Sequence, residues 1–165
     1  MPKLGSMATA AVVQMITGSG GVNSGLEGLS ASDQALVSPI GTLQVQPQNV
    51  TSDLAEASSS LNYPSVNVYC EKIVNNQQEK FRRFSGSVRM AIEVRHSQDR
   101  LSGLQNALEL YADSITGVLE QGLGDWGNGM FYSGGYEVAI GAVKHGGKNF
   151  IQAAKITFQI GVSRN

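Results

Sequence analysis

The fold is decided by residues 97–121, which read SQDRLSGLQNALELYADSITGVLEQ. Large apolar side chains recur there in alternating steps of three and four, a spacing that places them on one stripe of an α-helix. The members of this stripe are Leu101, Leu104, Leu108, Tyr111, Ile115 and Val118. Ala107 and Leu119 widen the stripe, as a helix that faces a globular core requires. The sequence therefore predicts one long helix that begins between Ser97 and Arg100.

The predicted helix ends at Gly122 and Gly124, because glycine tolerates the left-handed conformation of a helix cap. We expect Trp126 to fold back over this end. The second face of the helix is polar and carries Asp99, Gln105, Asn106, Glu109, Asp113 and Glu120. Burying each large side chain of the stripe contributes roughly 1.5–3 kcal/mol, but ordering the backbone costs roughly 1–2 kcal/mol per residue. The helix therefore needs an apolar surface to lie on.

Composition predicts a single domain, residues 1–165, that is large enough to bury a hydrophobic core. Charged residues make up only 15% of the chain. A surface that is poor in charge and rich in Ser, Gly, Gln and Asn is typical of a protein that lies against other protein. The formal net charge of -1 supplies no overall field that would favour nucleic acid or a membrane.

The sequence predicts neither a membrane segment nor a disulfide. No apolar run approaches the length that is needed to span a bilayer. Ala8–Ile16 is too short for a signal peptide and lacks a basic leader. Cys70 is the only cysteine, so an intrachain disulfide is impossible, which fits a reducing cytosol.

The first third of the chain is predicted to hold a short N-terminal helix and an irregular arm. Residues 1–17 contain the helix, from Ser6 to Ile16. Its weak apolar face is formed by Met7, Ala10, Val13 or Ala11, Met15 and Ile16. Residues 18–62 show little periodicity, with a short strand at residues 43–45 and a short helix at Thr51–Ser58. This arm is either a flexible loop or a segment that orders against a neighbouring subunit.

Residues 63–165 are predicted to form a core of two strands, the long helix and two more strands. Apolar and polar side chains alternate over residues 66–70, and more clearly over residues 88–94. Residues 131–143 and 150–162 supply the last two strands, which a glycine hairpin turn joins. We therefore expect an α+β fold, an antiparallel sheet of about four strands with the one long helix packed on one face.

The connection between the first two strands carries the candidate contact residues. It combines cations with aromatic rings over Lys80, Phe81, Arg82, Arg83 and Phe84. Aromatic and arginine side chains are enriched at interface hot spots, so these five residues are predicted to contact a partner protein. The same composition also suits single-stranded nucleic acid, and a solvated hairpin end is a third interpretation.

We predict no catalytic, cofactor-binding or metal-binding residues. His96 and His145 are the only histidines, and with a single cysteine they make no set of metal ligands. Residues 141–148 resemble a phosphate loop only superficially. Ala142 stands where that motif needs glycine, and Asn149 stands where it needs Ser or Thr. We therefore expect a protein that is not an enzyme and that needs no cofactor.

Four segments give the chain a resemblance to a known class of proteins. They are YPSVNVY (63–69) at the start of a strand, IEVRHSQDR (92–100) at a strand–helix junction, GYEV (135–138) in a late strand and GGKNF (146–150) in a hairpin. In the pattern and order of these segments, from Tyr63 to Val162, the chain resembles the small tail-terminator and neck proteins of tailed bacteriophages.

The resemblance implies a structural virion protein of the tail–neck region that is assembled in the host cytoplasm. Such a protein is a protomer of a homo-oligomeric ring, typically a hexamer, which caps the tail tube and joins it to the head. Its implied partners are the tail tube protein and a neck, stopper or portal-proximal protein. It has no membrane contact, and DNA only passes through the ring lumen. The long arm at residues 18–62 leaves open whether the ring is a terminator, a stopper or another neck component.

Overall fold

The computed structural model describes residues 3–50, 62–146 and 149–165. It confirms the α+β class. The helices are α1 (Leu4–Thr17), α2 (Val22–Glu27), α3 (Ala31–Gln34) and α4 (Leu104–Gln121), with a 3-10 helix at Thr42–Gln44. The strands are β1 (Val45–Gln46), β2 (Ser65–Asn75), β3 (Phe84–Gln98), β4 (Gly124–Gly127), β5 (Met130–Tyr132), β6 (Tyr136–Ile140), β7 (Lys144–Gly146) and β8 (Asn149–Arg164). The helix that was predicted at Thr51–Ser58 lies outside the described residues.

The eight described strands form one sheet, in the order β1-β2-β3-β8-β5-β4, with β6 and β7 also paired to β8. The long strands β2, β3 and β8 are antiparallel neighbours, as predicted. Strand β1 is the exception, because it pairs parallel to β2. The prediction of about four strands is therefore too low, and the sheet is not wholly antiparallel.

The number of strands differs because glycine divides one predicted strand and because three strands are very short. Instead of one strand over residues 131–143, the structure has β5 and β6, separated at Gly134 and Gly135. These glycines have φ angles of 97° and 89°, which other residues rarely adopt. Strands β1, β4 and β7 have two, four and three residues, too few for a recognisable period of two.

The inner face of the sheet is formed by the predicted alternation, which is confirmed. The even-numbered residues of β3 from Val88 to Val94 are fully buried, and those of β8 from Ala154 to Val162 are buried as well. Val66 and Val68 of β2 continue this apolar surface. Helix α4 packs on it, so the core lies between the helix and the sheet.

Helix α4 covers this inner face as predicted, but it begins later than the sequence pattern indicates. It starts at Leu104, because Gly103 has a left-handed φ of 81° and because β3 extends to Gln98, paired with β8. Leu101 is 58% exposed and does not belong to the buried stripe. The other members of the predicted stripe are buried, together with the two residues that widen it. The helix ends at Gln121, as predicted.

Trp126 closes the end of α4, as predicted. Its indole Nε1 donates a hydrogen bond of 2.6 Å to the backbone carbonyl of Gly122. Its ring centroid lies 5.8 Å from that of Tyr132 and 6.5 Å from that of Phe158. The side chain therefore joins the helix terminus to the sheet, and it satisfies one carbonyl that the helix leaves without a partner.

The N-terminal helix is confirmed, but the face that it buries was predicted only in part. Of the predicted face, Ile16 is buried, whereas Met7, Val13 and Met15 are only partly buried against the core. The buried residues of α1 are Leu4, Ala8, Thr9, Val12 and Ile16. An alanine-rich helix has small apolar residues on nearly every side, so periodicity alone does not select one face.

None of the described helices is long and apolar enough to cross a membrane.

The described part of the predicted irregular arm, residues 18–50, is ordered on its own chain. It contains α2, α3, the 3-10 helix and β1. The backbone N–H of Ser38 donates to the hydroxyl of Tyr111 at 2.9 Å, and the hydroxyl of Ser114 donates to the carbonyl of Val22 at 2.6 Å. These contacts tie the segment to α4, so over these residues it is not a loose loop.

Candidate docking site

The predicted contact residues lie at the end of the β2–β3 hairpin, which hydrogen bonds hold in one conformation. The Oδ1 atom of Asn75 accepts from the backbone N–H of Ser85 at 3.1 Å, and its Nδ2 atom donates to the carbonyl of Arg83 at 3.1 Å. The hydroxyl of Ser85 accepts from the backbone N–H of Glu79 at 2.9 Å. From β8, the hydroxyl of Ser163 donates to the carboxylate of Glu79 at 2.8 Å. The hairpin end is therefore anchored by three strands.

Phe81 is the most exposed large apolar side chain in the described structure, at 99%. Its φ angle of 65° lies in the left-handed region, which is unfavourable for a bulky side chain. Backbone strain of this kind persists only where the surrounding structure imposes it, and it is concentrated at functional sites. The anchored loop thus holds a phenyl ring in solvent at a cost in conformational energy.

Three cationic side chains flank this ring, and all of them are exposed: Lys80, Arg82 and Arg83. The Nε atom of Arg82 lies 3.3 Å from a carboxylate oxygen of Glu79. Both partners are well exposed to solvent, so this ion pair contributes little to stability. With three cations and one carboxylate, the hairpin end carries two net positive charges.

Phe84, the fifth predicted contact residue, is not part of this exposed surface. It is the first residue of β3, is only 4% exposed and lies in the hydrophobic core. The alternation of the strand explains the difference, because Phe84 is on the same face as the buried Val88. We therefore restrict the candidate docking site to Lys80, Phe81, Arg82 and Arg83, and call these four residues the hairpin tip.

The two histidines and the cysteine, the side chains most suited to catalysis or metal binding, lie on three different strands. His96 is near the end of β3, His145 is in β7 and Cys70 is in β2. Burial raises the pKa of the Cys70 thiol, which disfavours the reactive thiolate. Among the residues that the structure describes, no group of three or more His, Cys, Asp or Glu side chains is placed to hold a metal ion. That the protein is not an enzyme and needs no cofactor stays a prediction.

His96 packs against α4. Its ring centroid lies 5.4 Å from that of Tyr111. Its Nδ1 atom is buried without a hydrogen-bond partner among the described residues. Burial lowers the pKa of His96, and an interaction with Gln98 opposes this shift. The neutral imidazole is thus the form that the folded protein favours.

Sequence analysis missed a buried polar network on the outer face of the β2–β3 hairpin. Arg95 is 3% exposed, and its Nη1 atom donates to the side-chain oxygen of Asn67 at 3.0 Å. Its Nη2 atom lies 2.6 Å from one carboxylate oxygen of Glu93 and donates to the carbonyl of Val50 at 2.7 Å. The hydroxyl of Tyr69 donates to the second oxygen of Glu93 at 2.6 Å. Burial and this hydrogen bond raise the pKa of Tyr69.

A signal for this network was present in the sequence. Glu93 and Arg95 are two residues apart on a strand, so they lie on the same face. Their burial could not be inferred, because it depends on a segment near Val50 that is distant in the sequence.

No protein-family model matches the chain, and no curated protein matches it. The resemblance to phage tail and neck proteins therefore rests on the sequence pattern alone.

Proposed function

We propose that the chain is a ring-forming structural protein of a phage virion, a tail terminator that caps the tail tube and joins it to the neck. The hairpin tip is the surface that docks on a stacked ring, namely the end of the tail tube. Another neck component, a stopper or an adaptor-like ring, would use the same kind of contact. The proposal gives the protein a binding role and assigns it no reaction.

The observation that carries this proposal is the exposure of Phe81 in a strained and anchored loop. An idle loop would gain from a polar residue at this position, since an exposed phenyl ring has no favourable contact with water. Aromatic rings beside arginines are the side chains that contribute most to binding in protein interfaces. The net positive charge of the hairpin tip favours carboxylates on the partner, which the arginines can bind through two hydrogen bonds at once.

A small nucleic-acid-binding module is the second candidate, because an exposed aromatic ring beside cations can stack on a base. The hairpin end, counted with Glu79, carries only two net positive charges, and the chain has a formal net charge of -1. Nucleic acid is therefore the weaker candidate. Nucleic-acid affinity depends on the number of phosphates that a protein neutralises.

Replacement of the hairpin tip tests the proposal. We expect the triple variant Phe81→Ser, Arg82→Ser, Arg83→Ser to fold as the parent does, because the three side chains are exposed. Particles that are assembled with it should carry unjoined or overlong tails, visible by negative-stain electron microscopy. Arg100→Ser with Leu101→Ser is the matched control, since it also removes an exposed cation and an exposed apolar side chain.

Normal, infectious particles from the triple variant would contradict docking through the hairpin tip. A salt-dependent affinity for single-stranded DNA that falls in Arg82→Glu and Arg83→Glu would instead support the nucleic-acid candidate.

A further inference from the structure

Strand β6 leaves an apolar edge of the sheet uncovered. All five of its residues, Tyr136–Ile140, are exposed. Among the described strands, β8 is its one neighbour. Tyr136, Val138 and Ile140 lie on the inner face, because they pair with buried residues of β8. Edge strands are usually protected by lysine, proline or a bulge, whereas the single charge here is Glu137. This edge is therefore suited to pairing with a further strand.

The opposite side of the sheet has a second free edge. Strand β1 pairs with β2 only at Val66 and Asn67, so no described strand covers the outer edge of β2 from Val68 to Asn75. The register of β2 against β3 shifts between Cys70 and Lys72, so the regular part of this free edge is Lys72–Asn75. Beside this edge lies a groove of about 930 Å³ between α1 and β2. Its lining includes Ala10, Val13, Pro47, Tyr69, Cys70 and Ile73. An extended strand in this groove would gain both backbone hydrogen bonds and apolar contacts.

We propose that β6 of one copy of the chain pairs with the free edge of β2 in the next copy. This inference rests on the ring proposed above and names the contact between its subunits. A contact between two different surfaces, repeated from copy to copy, generates a ring, whereas pairing of β6 with itself gives only a dimer. Within the sheet β6 and β2 run in opposite directions, so a sheet that continues into the next copy pairs them antiparallel.

The charges on the two edges are complementary. Lys72 is exposed on the edge of β2 and Glu137 on β6, and neither forms an ion pair with another described residue. Glu71, the other charge on the β2 edge, is already paired with Arg89 and Lys155. Among the described residues, Lys72 is thus the unpaired charge on the β2 edge. In the proposed contact it lies near Glu137 on β6 of the neighbouring copy.

One register satisfies both the apolar and the charged residues. Ile73 lies on the inner face, since it pairs with the buried Val88. With Ile73 opposite Val138 of the next copy, the inner faces of the two sheets become continuous. Lys72 then lies opposite Ala139 and diagonal to Glu137, a spacing that a long side chain spans.

Disulfide trapping tests this contact. Lys72→Cys and Ala139→Cys are prepared as separate variants in a Cys70→Ser background. After mixing and oxidation we expect a disulfide-linked dimer, and neither variant should give one alone. A chain with both cysteines should yield a ladder of linked subunits. Val138→Cys alone is the control, because its cross-linking to itself would indicate β6–β6 pairing and overturn the proposal.

Charge exchange provides an independent readout. Lys72→Glu and Glu137→Lys should each reduce the assembled fraction in sedimentation velocity, and the two changes combined in one chain should restore it. Failure of the combined variant to restore assembly overturns the role of this charge pair.

The outcomes separate this contact from the function. If rings form but the mixture of Lys72→Cys and Ala139→Cys gives no cross-link, the β6–β2 contact is overturned. The proposal that the chain forms a ring then still stands. Cross-linked rings that do not add to purified tail tubes support the contact and overturn the tail function.

Discussion

The guanidinium group of Arg95 lies 2.6 Å from the carboxylate of Glu93, two residues earlier on the same strand. The side chain of Arg95 is 4% exposed and that of Glu93 is 19% exposed. Removing one partner of such a pair leaves the other charge buried without compensation. Mutation of one partner should therefore destabilise the protein far more than mutation of a surface ion pair does.

Arg95→Ala should lower the free energy of unfolding by about 3–5 kcal/mol, because the largely buried Glu93 loses its ion-pair partner. Chemical denaturation measures this loss. Arg89→Ala is the control, since Arg89 pairs with Glu71 but its side chain is 50% exposed, and it should cost about 1 kcal/mol or less. Equal losses in the two variants would mean that Arg95 is solvated in solution.

Leu108→Ala should lower the free energy of unfolding by about 2–5 kcal/mol, because Leu108 is fully buried between α4 and the sheet. Leu101→Ala should cost little, because Leu101 is 58% exposed. Thermal or chemical denaturation distinguishes the two variants. A large loss from Leu101→Ala would favour the longer helix that the sequence pattern predicts.

Acid should destabilise the protein through His96. Burial lowers the pKa of His96 in the folded state below its ordinary value of 6.5. The contribution of the neutral imidazole to stability is therefore fully present above that value. It is lost as the pH falls through the lowered pKa, because the unfolded chain takes up the proton first.

His96→Phe should reduce the loss of stability between about pH 7 and about pH 5, the range in which histidine ordinarily titrates. Denaturation midpoints at several pH values measure the difference. His145→Gln is the control, since His145 is exposed, and it should keep the slope of the parent. An unchanged slope in His96→Phe would show that other groups cause the acid sensitivity.

Tyr111→Phe should loosen the segment around Ser38. The variant removes the hydroxyl that accepts from the backbone N–H of Ser38 at 2.9 Å, at a cost of about 0.5–1.5 kcal/mol. Hydrogen exchange at Ser38 should become faster. Tyr136→Phe, which removes a hydroxyl that bonds to Glu120 on the surface, should leave the exchange of Ser38 unchanged.

The sequence predicted elements whose signal is local and repeated. The alternation in β3 and β8 and the period of α4 determine which side chains are buried, because each strand and the helix bury one continuous face. The start of α4 could not be predicted in the same way. Leu101 fits the helical spacing, but the helix starts only at Leu104. Strand pairing at the end of β3 and the left-handed conformation of Gly103 set this start. The strand pairing involves β8, whose residues lie about fifty positions away in the sequence.

The candidate site was predictable in part. Cations and aromatic residues in a connection between strands mark Phe81 as a loop residue, and its exposure follows. Phe84 was misassigned because the sequence does not show where β3 begins, although its parity with Val88 gave a hint. The exposure of β6 depends on the lack of a covering element in the described fold, which no local pattern encodes.

Strand β8 comes after every strand that it joins. It pairs with β3 on one side and with β5, β6 and β7 on the other. As a ribosome makes this chain, the β2–β3 hairpin and strands β4 to β7 emerge before the segment that unites them. The apolar faces that β8 will join stay accessible to chaperones until residue 164 has left the exit tunnel. During that interval aggregation competes with folding. Completion of the sheet is a late event governed by contacts of long sequence separation.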